Sequence, residues 1–298
     1  MVNGFPDKLI SKKAFLKKYG LEKEYGESKL KWSDLAEIYD KYLKKIGIFS
    51  VEAQHVAGIL ETCTPFVNTA KYCPKDPEKL IGKIIRNCKD KERPYITQTN
   101  YVAKIHDLSR ARALHLFLQE WPKIDSYIKD NFTVKGNRGI AKIPPSDPKI
   151  IRDFFSSFGC EIENHDKGYR SVHYLLEKVI EKKNVLVEVQ VRTLYDEAWG
   201  EIDHRLHYPY YKKSVKKKEQ DALSILEKYL IHLSTITGIA NLISSIVYYL
   251  KEIEELNKKQ RSRAIQDRIT KLKGEAREYV AMFEQAIDSF HRNYQGVV

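Results

Sequence analysis

Between residues 8 and 60 the apolar positions recur at helical spacing. Leu35, Ile38, Tyr39, Tyr42 and Leu43 lie three or four apart, and residues 51–60 continue the stripe. Such a stripe predicts amphipathic helices with one face on a core. Thr64-Pro65 and the stretch 74–77 interrupt it with prolines. Residues 78–87 then read as a short basic helix. From 95 to 118, β-branched and aromatic residues alternate with polar ones, which predicts strand. Residues 121–132 read as helix and KGNRG as a Gly-rich loop. Asp147-Pro148 opens a further helix, with Asp147 as an acidic N-cap and proline in the first turn, ending at Gly159. Residues 171–177 and 185–192 alternate as strands. Everything beyond Asp196 reads as helix in three segments, broken near Tyr208-Pro209 and around 257–263. There is no internal repeat and no low-complexity linker.

This order predicts a mixed α/β (α+β) fold, a mixed sheet of about five strands flanked by helices. A helical N-terminal extension (1–62) precedes a core (63–210), and a helical C-terminal extension (211–298) follows. One helix needs a membrane test, because residues 229–250 carry no charge and could span a bilayer. Its apolar residues form a stripe: Leu230, Leu233, Ile236, Ile239, Ala240, Ile243, Ile246, Val247 and Leu250. Ser234, Thr235, Thr237, Asn241, Ser244 and Ser245 take the other face. A spanning helix is apolar nearly all round, so the expectation is an amphipathic helix packed on the core, with no membrane role.

With 42 % hydrophobic and 31 % charged residues the chain is an ordinary globular protein, not a disordered one. Its formal charge of +12 favours polyanionic partners such as nucleoside polyphosphates or RNA. A surface simply rich in lysine accounts for the charge equally well. Lysines 212, 213, 216, 217 and 218, and lysines 12, 13, 17 and 18, form two clusters, read as solvated helix faces or as a cradle for RNA phosphates. The four cysteines make no Cys-x-x-Cys pair, which excludes a zinc ribbon and a disulfide framework. The N-terminal residues lack an apolar signal core, so the expectation is a cytoplasmic protein.

Three stretches carry the chemistry: HDLSRAR (106–112), KGYRSVHYLL (167–176) and VEVQVRTLYDEAWGEIDHRL (187–206). Asp107 sits at a strand end. On a strand, Glu188, Gln190 and Arg192 share one face and Val187, Val189 and Val191 the other. A solvent-exposed face explains that polar row as well as a site does. Asp107 beside Glu188 would decide for a site, since two carboxylates can hold Mg²⁺, or one the metal while the other takes a proton. Arg192, Arg112 and Lys75 are cation types that neutralise phosphate oxygens. Gly168-Tyr169 offers a turn presenting an aromatic face to a base.

Together these residues resemble the synthetase domain of the RelA/SpoT family of alarmone synthetases. GYRSVH, EVQVRT and A-W-x-E-x-x-H arrive in the family's order over 168–206, and Asp107-Leu108 with Arg112 matches its D-L-x-G-x-R element. The resemblance covers about 65–210 and implies an ATP-dependent pyrophosphokinase making (p)ppGpp from GDP or GTP. It implies Asp107 and Glu188 as catalytic and metal-binding residues, Mg²⁺ as cofactor, and Glu188 as general base or second metal contact. It places Lys75, Lys83, Arg110 and Arg112 at the ATP phosphates. Tyr169 would stack on the acceptor base, with Lys167, Gly168, Arg170, Ser171, His173, Gln190 and Arg192 around the acceptor.

Three departures stand out. Cys73 occupies the first arginine of the family's R-x-K-S donor element, which either weakens ATP binding or moves that task to Lys71 or Arg86. Arg110 replaces the glycine of D-L-x-G-x-R, and Lys167 the asparagine often found before Gly-Tyr. The family's long forms also carry a hydrolase domain ahead of the synthetase, for which the hundred or so residues before Asp107 are too few. Two other readings stay open. One is a toxic relative that pyrophosphorylates the tRNA 3′ end, suggested by the added lysines and Arg110. The other is a silent nucleotide- or RNA-binding module, suggested by the missing arginine. The extensions are candidates for homo-oligomerisation, for covering the site, or for neutralising toxicity in cis. If Tyr169 stacks on the acceptor base, Tyr169→Ala raises the acceptor's apparent KM more than that of ATP in steady-state kinetics. Equal effects on both would argue against stacking.

Overall fold

The structure is a computed structural model and describes residues 4–88, 96–180, 183–206, 217–259 and 263–294. Its centre is a six-stranded mixed sheet in the order β1-β2-β6-β5-β3-β4. The strands are β1 (Thr69–Pro74), β2 (Ser109–His115), β3 (Ile140–Ile143), β4 (Glu161–Asn164), β5 (Ser171–Ile180) and β6 (Lys183–Thr193). Strands β2 and β6 run parallel, as do β3 and β4, and the other pairs are antiparallel. The mixed α/β class holds, with one strand more than expected. The strands not located from the sequence are β1, β3 and β4; in β1, Pro74 read as a breaker. Proline is tolerated there because an edge strand has no second partner.

The strand expected over 95–118 shrinks to β2. Residues Tyr101–Lys104 form a helical turn, α5, because Tyr101 and Ile105 are buried against the N-terminal helices instead of alternating in the sheet. Asp107 therefore lies in the turn that enters β2, not on a strand. The pleat then sorts the two faces. Ala111, Ala113, Val172, Tyr174, Val187, Val189 and Val191 are buried on one side, with Trp121, Ile124 and Ile128 of α6 (Trp121–Asn131). Arg110, Arg112, His173, Glu188, Gln190 and Arg192 alternate with them on the other.

Helices α1 (Lys12–Tyr19), α2 (Glu22–Glu27), α3 (Trp32–Glu61) and α4 (Pro77–Asn87) form a second core around Phe15, Ile38, Tyr42, Leu80 and Ile84. The C-terminal end of α3 continues into the first core through Val56, Ala57 and Leu60. Deep inside, Tyr42 Oη lies 2.7 Å from Lys75 O and 3.3 Å from Leu108 O, and Ser109 Oγ donates to Phe49 O at 2.8 Å. Thus α3 pins the backbone on both sides of the β1–β2 pair.

The helix between β3 and β4 corrects the expected cap. α7 spans Lys149–Ser157 with Pro148 at the N-cap and no side-chain cap. Asp147 is instead held by Arg170, from Nε at 2.7 Å and Nη2 at 2.5 Å. A bidentate ion pair out of water outweighs a neutral cap bond.

After β6 come α8 (Leu194–Leu206), α9 (Lys217–Asn257) and α10 (Arg263–Tyr294). α9 packs on the core, but the expected stripe is split: Leu230 and Ile239 are buried, and the rest of the stripe is not. Ser234, Thr237, Asn241, Ser244 and Ser245 are buried, while Ile236, Ile243, Val247 and Leu250 are 46 %, 43 %, 49 % and 56 % exposed. The polar flank is inside because its groups find partners there. Ser234 Oγ donates to Gly168 O at 2.7 Å, and Asn241 Nδ2 to Asp196 Oδ2 at 3.1 Å. Ser224–Asn257 is long and apolar enough to cross a membrane by length and composition. Lysines 212, 213 and 216, the Tyr208-Pro209 break and the side chains of lysines 217 and 218 lie outside the described residues. Tyr42→Phe leaves two buried carbonyls without their shared donor. It is expected to lower stability by about 1–2 kcal/mol, seen as a lower denaturation midpoint with unchanged m-value.

Candidate active site

Strand β1 delivers Lys75 just past its end, and the turn before β2 delivers Asp107. Lys75 N donates to Leu108 O at 3.0 Å, which locks the two segments together. Asp107 then accepts from Lys75 Nζ at Oδ2 (2.5 Å) and from Lys83 Nζ at Oδ1 (2.9 Å). Lys83 comes from α4, which starts under a side-chain cap from Asp76 to Lys79 N at 2.9 Å. Burial alone would raise the Asp107 carboxyl, but the two ammonium groups overcome it and hold the group below its ordinary range. Lys75 is 7 % exposed, and burial lowers its ammonium pKa in spite of Asp107.

The polar row of β6 lies on the same side. His173 Nδ1, from β5, is 3.2 Å from Glu188 Oε1, and Gln190 Nε2 donates to Glu188 Oε2 at 2.8 Å. Tyr169 Oη and His173 Nε2 are 2.9 Å apart, which extends the line to the Gly168-Tyr169 turn. At the other end Arg192 donates to Gln190 Oε1 at 3.1 Å, and its guanidinium lies 5.5 Å from the Tyr169 ring centre. Burial would raise the Glu188 carboxyl, but the His173 and Gln190 hydrogen bonds and the Arg110 charge hold it far below the ordinary carboxylate range. Glu188 stands in register beside Arg110, three residues after Asp107 on the neighbouring strand.

Helix α8 closes one wall. Arg112 Nη1 donates to Glu197 at 3.1 Å and Glu201 at 2.9 Å, and Lys71 reaches Glu197 at 3.4 Å. Arg192 Nε lies 2.9 Å from Glu197. His204 Nε2 is 2.9 Å from Lys79 Nζ. A Cβ at Gly200 would come within 2.8 Å of Arg192 Nη1, so a larger residue would displace the tip of that guanidinium. Gly168 adopts φ +83°, and a Cβ there would meet Ser234 Oγ of α9 at 2.4 Å.

The structure thus brings together Lys75, Lys83, Asp107, Arg110, Arg112, Tyr169, His173, Glu188, Gln190 and Arg192. Arg170 does not join them. It is buried between Asp147 and α9, where Nη1 donates to Ser234 Oγ at 3.0 Å. Ser171 Oγ is turned into the sheet toward Val191 O, and Lys167 is exposed on the turn. Of the two expected substitutes for the missing arginine, Lys71 is paired with Glu197. A third presents itself, because Cys73 and Arg110 face each other across β1 and β2, with Arg110 Nη2 3.7 Å from Cys73 Sγ. Sequence reasoning missed Glu197. Its helical i, i+4 spacing with Glu201, both facing Arg112, was the signal.

Residues 73–213 match the family described as "Region found in RelA / SpoT proteins". The central region of this chain belongs to the RelA/SpoT family. GTP pyrophosphokinase YjbM of Bacillus subtilis is 46 % identical over 52 residues, 16 % of this chain and 25 % of that protein, so the matched segment spans a quarter of this curated relative. Among solved structures, small alarmone synthetase 1 of B. subtilis aligns over 72 % of this chain and 94 % of its own, at 18 % identity and TM-score 0.46. A GTP pyrophosphokinase family protein of Streptococcus pneumoniae aligns over 73 % and 93 %, at 15 % identity and TM-score 0.44.

The described residues of this RelA/SpoT region hold no group of three or more His, Cys, Asp or Glu arranged for a metal. Two hard carboxylates fit Mg²⁺ on other terms, since that ion takes one or two protein oxygens and fills the rest from phosphates and water. Both carboxyls are depressed in the folded chain. Their contribution to stability is therefore full above the ordinary carboxylate range, near pH 4, and is lost as pH falls below it. Melting temperature against pH is expected to fall more steeply on the acid side for the wild type than for Glu188→Gln.

Proposed function

We propose that this chain is an ATP-dependent pyrophosphokinase that transfers the β,γ-pyrophosphate of ATP to a ribose 3′-hydroxyl, most naturally that of GDP or GTP. The observation that carries the reading is the Lys75–Asp107–Lys83 cluster at the entry of β2 and the His173–Glu188–Gln190 group on the adjacent β5 and β6, with Arg110 in register beside Glu188. The activity named for the GTP pyrophosphokinase relative supports it.

In this reading the ATP polyphosphate lies over β1, β2 and α4. Lys75, Lys83 and Arg112 turn from their carboxylate partners to phosphate oxygens, and Arg110 joins them. Arg110, directly across from Cys73, supplies the cation that the family's donor element carries on β1. Asp107, with Glu188 alongside, would hold Mg²⁺, which neutralises charge on the phosphates. Tyr169 and Arg192 position the acceptor base, and Glu188 orients the 3′-hydroxyl. The O3′–Pβ bond forms as the bond from Pβ to the α,β-bridging oxygen breaks. AMP leaves, and the hydroxyl proton passes to Glu188. Because Glu188 is held strongly ionised, it is a modest base. Its larger contribution is alignment and charge, which suits a loose phosphoryl-type transition state.

The test is transfer of label from γ-labelled ATP to GDP, GTP, AMP, ADP, ATP or deacylated tRNA in separate reactions, with Asp107→Ala and Glu188→Gln as blanks. Label on GDP or GTP is expected. Label confined to tRNA would make the chain an RNA-modifying toxin, and none at all would overturn the reading. Arg110→Ala is expected to raise the KM for ATP about tenfold, with the acceptor's KM little changed. Lost phosphate contacts of this kind are worth roughly 1–3 kcal/mol.

A further inference from the structure

Beyond the end of the polar row, α7, α9 and α10 enclose a cavity of about 550 Å³ whose wall reaches Arg192. That is the size of a small-molecule site. Leu118, Trp121, Phe155, Val172, Ile239 and Leu242 make its walls largely apolar. One corner is different. His115 stands in register beside Thr193, whose hydroxyl donates to Asp196 Oδ2 at 2.6 Å, and Asn241 Nδ2 donates to Asp196 from the facing helix. All four residues line the cavity.

The corner is rich in acceptors and poor in donors. Asp196 is 6 % exposed, and its two close partners, Thr193 and Asn241, are neutral. Arg170 Nη1 stays 3.9 Å from it. That arginine is already committed to Asp147, Ser234 and Thr237, so the Arg170–Asp147–Asp196 group carries one carboxylate in excess. Asn241 is 6 % exposed, and its Oδ1 has no hydrogen-bond donor among the described residues. His115 Nδ1 is 2.9 Å from Phe117 O, which makes Nδ1 the protonated nitrogen and Nε2 an acceptor. Burial holds its pKa down at about 4, so the ring stays neutral. An unpartnered amide oxygen, an acceptor imidazole nitrogen and an under-compensated carboxylate in an apolar chamber call for a ligand that brings donors and positive charge.

We propose that this cavity is a binding site for a small organic cation, an apolar body ending in a primary ammonium group whose three N–H bonds meet Asp196, Asn241 Oδ1 and His115 Nε2. An anion would meet no uncommitted cation at this corner and would lie against Asp196. The ammonium corner is distinct from the Lys75–Asp107–Lys83 cluster, but the cavity wall includes Arg192 of the polar row and Arg170, the residue after Tyr169. An occupant therefore touches the segment that carries the acceptor turn.

Calorimetric titration of the full chain tests this with three probes of one shape: 2-phenylethylammonium, 2-phenylethanol and 3-phenylpropionate. The ammonium compound is expected to bind one to one, and the alcohol and carboxylate at least tenfold more weakly. Asp196→Asn should weaken the ammonium compound at least tenfold, and Ala286→Trp, which fills the cavity from α10, should abolish its binding. Saturating ATP should leave its affinity unchanged. Should a variant fail to fold, the ranking of the three probes on the wild type still decides. The proposal is overturned if the carboxylate or alcohol binds as tightly as the amine, if ATP displaces the amine, or if no saturable binding appears below about 10 mM.

Discussion

The site depends on keeping Lys75 and Asp107 charged in a place mostly withdrawn from water. Their side chains are 8 % and 14 % exposed, and their contact is 2.5 Å. Removing one partner of such a pair costs about 3–5 kcal/mol, because the other charge is left stranded. The chain therefore surrounds the pair with fixed backbone. Tyr42 of α3 reaches the carbonyls of Lys75 and Leu108, the Lys75 amide bonds back to Leu108, and α4 is aimed so that Lys83 takes the second carboxylate oxygen. The N-terminal helices are thus part of the site's frame. Their core is contiguous with the strand ends that carry the two residues.

The same logic extends over the face of the sheet. Lys71, Lys75, Lys83, Arg110, Arg112 and Arg192 stand against Asp107, Glu188, Glu197 and Glu201. The surplus is positive, and most of the cations are held by carboxylates instead of being left free. In the proposed reaction a polyphosphate would exchange one set of anionic oxygens for another, so the cations would need little reorganisation. That is the preorganisation on which electrostatic catalysis of phosphoryl-type transfer relies.

How much of this was legible in the sequence follows from the range of each interaction. The period-two row Glu188, Gln190, Arg192 is a local signal, and the structure keeps it on one face. The helical stripe of α3 was equally local. Strand β1 was invisible, because an exposed edge strand ending in proline has no apolar alternation to read. The pairing of Cys73 with Arg110 is a register between segments far apart in sequence, and only the fold reveals that the two departures are neighbours. The flank of α9 was misassigned in part because counting apolar residues ignores where polar groups find partners. Ser234 and Asn241 go inward to Gly168 and Asp196, and Ile236 and Ile243 are left outside. Arg170, expected at the acceptor, was claimed by Asp147 for the same reason.

The central claim is that Asp107 is stored between two lysines and released to a metal ion when phosphates claim those lysines. ATP binding measured by calorimetry with and without Mg²⁺, on wild type and Asp107→Asn, addresses it directly. The account expects Mg²⁺ to tighten ATP binding in the wild type and to have little effect in the variant. Equal tightening by Mg²⁺ in both proteins would contradict it.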